Sequence, residues 1–140
     1  MRKRFVFAIS VIMVAVDQLL KWYAPVTPLP SGGGFFVRTL NHGIAFSLPL
    51  PSWLLAMLLA AGLTAVLMMA WREARKGGER VAPFVLVIAG AVSNIVDRVR
   101  VGAVIDYVSI PLIRLNFNLA DCMIVAGVAI MIVKSLRKEY

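Results

Sequence analysis

The chain has 140 residues, 61% of them hydrophobic, and a net charge of +8, with a mean hydropathy of +0.86. That is more apolar than a water-soluble domain of this size carries, so the solvent is a bilayer. No basic stripe with interleaved aromatics is present, which excludes nucleic acid as a partner, and one cysteine, Cys122, and one histidine, His42, leave neither an internal disulfide nor enough ligands for a structural zinc site.

The first apolar run, Phe5 to Tyr23, follows the basic start MRKR. No A-x-A-like cleavage site follows it, and Asp17, Gln18 and Lys21 continue the segment, so it reads as a retained span. Asp17 and Lys21 stand four apart with the acid first, the favourable order for a pair on one helical face. Such a pair either neutralises the span for insertion or belongs to a site, because intramembrane charge is costly. Residues 24–52 then make an outer loop kept irregular by Pro25, Pro28, Pro30, the Gly32 to Gly34 run, Pro49 and Pro51, with a short hairpin expected around Phe35 to Leu40. A loop longer than about 12 to 15 residues suggests function, and this one is the candidate lid.

The second run, Trp53 to Trp71, is an uninterrupted span. The third and fourth, from Val81 and from Phe117, reach the about 20 residues at about 1.5 Å each that a crossing needs only if their polar ends are included. At the third, Asn94 and Asp97 share a face and Arg98 is four from Asn94; capping and snorkelling could account for this group alone. The following loop, 98–116, contains VGAVIDYVSI, rich in β-branched residues and expected to lie extended against the helix ends. Asn118 and Asp121 open the fourth span with the same three-residue spacing, which also suits an N-cap.

The expected architecture is therefore an all-α membrane protein, a single integral membrane domain with four transmembrane helices at about 5–23, 53–71, 81–97 and 117–133 and a small extracytoplasmic β-containing loop region. Ten of the fifteen lysines and arginines fall on the side of the two termini; Lys21, Arg38, Arg98, Arg100 and Arg114 fall on the other. The positive-inside rule places both termini in the cytoplasm.

All four aspartates belong to the outer half, whereas Glu73, Glu79 and Glu139 are on the cytoplasmic side. Asp106 stands in an apolar extended stretch between two helices that bring carboxamides and carboxylates to the same level. If that stretch folds over the helix ends, Asp106 faces Asp121, and two carboxylates sharing a site hold one proton between them, as in aspartic proteases. Other chemistries are weaker: Cys122 is about 100° around the helix from Asp121, no serine sits in a nucleophile motif, and the glycine run lacks the Lys and helix of a phosphate loop. A small proton-coupled membrane transporter is the alternative, and a scaffold held by polar helix contacts is a third class.

Four segments together resemble the lipoprotein signal peptidase (signal peptidase II) family: DQLLK at Asp17 to Lys21, NHGIAFSL at Asn41 to Leu48, SNIVDRVRVGAVIDY at Ser93 to Tyr107, and FNLADCMI at Phe117 to Ile124. The resemblance implies an intramembrane aspartic endopeptidase of the bacterial inner membrane that cuts diacylglyceryl-modified prolipoproteins before the lipidated cysteine. It implies Asp106 and Asp121 as the catalytic pair, Asn94, Arg98 and Asn118 as polar residues holding pair and substrate, and Asp17, Lys21, Asn41 and Gly43 as residues shaping the site. It further implies a lipid-modified prolipoprotein and membrane lipid as partners, an inhibitor of the cyclic-peptide globomycin type, and neither metal nor organic cofactor. Ser93 and Tyr107 depart from the family pattern, where glycine and phenylalanine are usual.

Overall fold

Among the residues described by the computed structural model, 2–24, 36–43, 50–77, 81–113 and 115–137, four helices are long and apolar enough to cross a bilayer. They are α1 (Arg2–Tyr23), α2 (Ser52–Arg75), α3 (Ala82–Val101) and α4 (Leu119–Leu136). Most of the expected lid, including the glycine run, lies outside the described residues, as does Arg114.

The hub is α3. Its buried residues, Pro83, Phe84, Val87, Gly90, Ser93, Asn94 and Asp97, recur at helical spacing and form one stripe, apolar in the first half and polar in the second. The apolar half packs against α4 through glycines. A Cβ on Gly90 would run into the Ala120 carbonyl oxygen and the Ile124 side chain, and one on Gly127 into Val87 and the Pro83 carbonyl. In lipid, where burying apolar surface gives helices no advantage over the acyl chains, this close backbone approach is what holds two spans together. By contrast α2 buries only Leu55, and Trp53, Met57, Leu58, Leu67, Met68 and Trp71 point outward. Such a surface is stable only in hydrocarbon.

The third helix runs past the expected end at residue 97. It continues until Gly102, at φ 76°, supplies a left-handed cap whose N–H reaches the Arg98 carbonyl at 3.1 Å. Asn94, Asp97 and Arg98 therefore sit on the last turns of a regular helix rather than in its cap.

The β elements form one antiparallel sheet in the order β1 (Phe36–Asn41), β2 (Val104–Ile110), β3 (Leu115–Phe117), with a single 3-10 turn at Pro111–Ile113 between the last two. The hairpin expected around Phe35 to Leu40 is corrected: this strand pairs with β2, far along the chain, placing Thr39 opposite Asp106 and Asn41 opposite Val104. A slip in register between Phe36 and Thr39 bends β1. The apolar, β-branched stretch at β2 found its partners across the molecule because both its faces are covered, leaving Val104 to Tyr107 buried.

Replacing Gly90 by Ala should lower the thermal midpoint in micelles by an amount corresponding to about 1–3 kcal/mol, the usual cost of overpacking. An unchanged midpoint would mean that α3 and α4 do not meet through this glycine.

Candidate active site

The polar residues of three helices and the sheet converge at one end of the bundle in two connected layers. The deeper layer is built on Lys21, whose Nζ lies 2.7 Å from Asp17 Oδ2 and 2.7 Å from Asp97 Oδ2. All three side chains are buried. An ion pair out of water is tolerable only when its remaining lone pairs are met, and here they are. Asp17 Oδ2 also accepts from Ser93 Oγ at 2.7 Å, and its Oδ1 from Tyr107 Oη at 3.0 Å and the Ala120 N–H at 3.2 Å. Asp97 accepts from Gln18 Nε2 at 3.0 Å and the Ile105 N–H at 3.2 Å. Burial raises the pKa of the Tyr107 hydroxyl, with the Asp17 charge adding to the shift. The phenol thus stays a donor.

The upper layer holds the two aspartates singled out from sequence. Asp121 lies on the first turn of α4, where it forms a capping box with Asn118: the Asp121 N–H donates to Asn118 Oδ1 at 2.9 Å and the Asn118 N–H to Asp121 Oδ2 at 3.3 Å. The N-cap expectation holds, and the same two residues that start the helix also fix the position of the Asp121 carboxylate. Asn118 spends its amide on the other acid, donating from Nδ2 to Asp106 Oδ1 at 2.8 Å and to the Ile105 carbonyl at 3.3 Å. One side chain therefore touches both aspartates. Asn94 Nδ2 donates to Asp121 Oδ1 at 2.8 Å while its Oδ1 accepts from Lys21 at 3.0 Å, which joins the layers.

Asn41 and Gly43 close the site from β1. Asn41 Nδ2 donates to Asp106 Oδ2 at 3.3 Å, and its Oδ1 accepts from the Gly43 N–H at 3.0 Å, an Asx-type turn. Arg98 Nη2 holds the Gly43 carbonyl at 2.9 Å. The Asp106 carboxyl is pushed up to about 6, first by burial and then by the charge of Asp121, against the opposing hydrogen bonds from Asn41 and Asn118.

All nine residues singled out from sequence thus fall at this end, Asp106, Asp121, Asn94, Asn118, Asn41, Gly43 and Arg98 in the upper layer and Asp17 and Lys21 below. Sequence reasoning undervalued Asp97, the second counter-ion of Lys21, although its spacing from Asn94 already put it on the same face. Ser93 and Tyr107, departures from the family pattern, and Gln18, a polar residue of the first span, also carry hydrogen bonds of the lower layer. Tyr107 accepts from the Leu119 N–H at 2.9 Å and donates to Asp17, so it pins β2 to the start of α4. The first N–H groups of α4, at Leu119, Ala120 and Asp121, are all satisfied by side chains from the site.

The family model described as Signal peptidase (SPase) II matches residues 9–137. A lipoprotein signal peptidase of Rhizorhabdus wittichii is 34% identical over 93% of this chain and 84% of its own length. One of Oleidesulfovibrio alaskensis is 35% identical over 91% of this chain and 92% of its own. Among solved structures, a bacterial membrane enzyme superposes with a TM-score of 0.70 over 96% of this chain and 89% of its own, at 19% identity, a likeness of fold.

Replacing Lys21 by Met should cost about 3–5 kcal/mol, because two buried carboxylates lose their counter-ion; unfolding in micelles measures it, and a neutral outcome would show that Lys21 is not the keystone. Tyr107→Phe should cost about 1–3 kcal/mol by leaving Asp17 and the Leu119 N–H short of a partner.

Proposed function

The chain belongs to the signal peptidase II family, and on that premise we propose that it is an aspartic endopeptidase in which Asp106 and Asp121 carry the chemistry. It is a multi-pass membrane peptidase of a family that removes signal peptides from prolipoproteins. The finer assignment rests on one observation: Asn118 binds both carboxyl groups at once, donating from Nδ2 to Asp106 Oδ1 and from its backbone N–H to Asp121 Oδ2.

Two carboxyl groups at such a site share one proton. The ionised one takes a proton from water as the water oxygen attacks the scissile carbonyl, and the protonated one delivers its proton to the carbonyl oxygen or the leaving nitrogen. Asn94, Asn118 and Asn41 fix the carboxylates by donating amide hydrogens. Arg98 holds the turn at Gly43, keeping β1 over the pair. Asp17 and Lys21 brace the floor beneath it.

The substrate is a prolipoprotein carrying a diacylglyceryl group, cut just before the lipidated cysteine. Its acyl chains stay in the bilayer while the scissile amide reaches the end of the bundle where the aspartates lie. The uneven distribution of Lys and Arg supports both termini in the cytoplasm and the pair at the outer boundary of the bacterial inner membrane. The proton-coupled transporter alternative is not supported: the family is one of peptidases, and the acids gather at one end of the spans, whereas coupling sites lie near the midplane.

Purified protein should shorten a lipid-modified prolipoprotein and leave its unlipidated form intact. Asp106→Asn and Asp121→Asn should each reduce the rate by about 10²- to 10⁴-fold or more with helical content retained, and a globomycin-type cyclic peptide should block the wild type. Retained cleavage in either variant would refute the pair. Because Asp106 loses its proton as pH rises through about 6, kcat/KM should fall on the alkaline side of that value. The Asn41 hydrogen bond favours the ionised form, so Asn41→Ala should move this limb to higher pH, by about one unit; a limb that stays put or moves down would contradict the assignment.

A further inference from the structure

On the other side of β2 from the aspartate pair lies a cavity of about 300 Å³, bounded by α1, α3, β1 and β2. Alternation along the strand separates the two places: Ile105 lines the cavity and Asp106 belongs to the site. Two guanidinium groups line it, Arg38 from β1 and Arg100 from α3. Neither has a carboxylate partner among the described residues. The one acid among the described lining residues, Asp97, is buried and already occupied by Lys21, Gln18 and the Ile105 N–H. The Arg38 guanidinium makes no hydrogen bond to any described residue, and that of Arg100 makes only a long one, 3.5 Å to Gln18 Oε1.

The aromatic residues here give the depth. Trp22 lines the cavity and is 69% exposed, Tyr23 beside it is 74% exposed, and Trp53 starts α2 at the same end, 64% exposed. Exposed Trp and Tyr at helix ends mark the headgroup region of a bilayer. The Arg100 guanidinium stands 5.9 Å from the Trp22 ring, which orients it without neutralising it.

We propose that this cavity binds the phosphate of an anionic phospholipid in the leaflet on the side of the aspartate pair. Paired guanidinium forks match phosphate oxygens in charge and geometry. The volume is at the lower end of the range for ligand pockets, enough for a headgroup phosphate with its glycerol. The acyl chains would run along the apolar outer face of α1, where Leu19 and Val16 are exposed. Such a lipid would fix the height and tilt of α1 and α3 beside the site without entering it.

The test titrates the purified full chain in a neutral detergent with short-chain phosphatidylglycerol, phosphatidylcholine of the same chain length, or inorganic phosphate, and follows the thermal midpoint. Phosphatidylglycerol should raise the midpoint saturably, with phosphatidylcholine giving no saturable rise. In Arg38→Gln/Arg100→Gln the half-saturating concentration should increase roughly thirty-fold, about five-fold for each arginine. The single variants should each show the smaller loss, and Arg100→Lys less than Arg100→Gln, which keeps the result readable if the double variant folds poorly. Equal response of wild type and the single variants would overturn the proposal. So would a rise with inorganic phosphate equal to that with the lipid, which would reassign the cavity to a soluble anion.

Discussion

A single ammonium group between two carboxylates holds the working end of this protein together. Lys21 meets Asp17 and Asp97 at 2.7 Å each, with all three groups removed from solvent. Withdrawing three charges from water is costly, and Coulombic attraction alone does not offset it. The balance is met by oriented donors: the Ser93 and Tyr107 hydroxyls, the Gln18 amide and the N–H groups of Ile105 and Ala120. Between them they come from four elements, so the charge cluster can be satisfied only when α1, α3, β2 and α4 are all in place. Specificity of assembly, more than net stability, is what such a cluster contributes.

The geometry of the upper layer depends on that lower one through a few shared residues. Asn94 has its oxygen on Lys21 and its nitrogen on Asp121. Tyr107 shares β2 with Asp106 and ties the strand both to Asp17 and to the first turn of α4. Asn118 completes the arrangement by capping α4 and holding Asp106 together. Positions of reacting groups set by side chains that are themselves fully engaged are the kind of preorganisation that acid–base chemistry requires.

Much of this was legible in the sequence, for identifiable reasons. The four helices follow from apolar runs long enough to cross hydrocarbon, and charged or amide residues inside them stand out because they are costly there. Three- and four-residue spacings put Asp17 with Lys21, Asn94 with Asp97, and Asn118 with Asp121 on common faces, and the structure uses each pairing. What spacing cannot show is which elements meet across the chain. The strand at Phe36–Asn41 read as a local hairpin because its partner, β2, lies more than sixty residues away. Tyr107 and Ser93 read as departures from a pattern, since the worth of a hydroxyl depends on a partner brought by folding. Polar residues mark where the third apolar run stops, at about 97, but backbone conformation at Gly102 decides where the helix itself ends.

The spacing of Asp17 and Lys21 bears on how the chain is made. Being four residues apart on α1, they neutralise each other inside one helical segment, so the first span can leave the translocon carrying its own counter-ion. Asp97 has no such partner in α3; its cation is Lys21, on a span synthesised earlier. Biogenesis thereby acquires a direction: the first helix can wait in the lipid alone, and the third becomes a comfortable resident only by docking onto it.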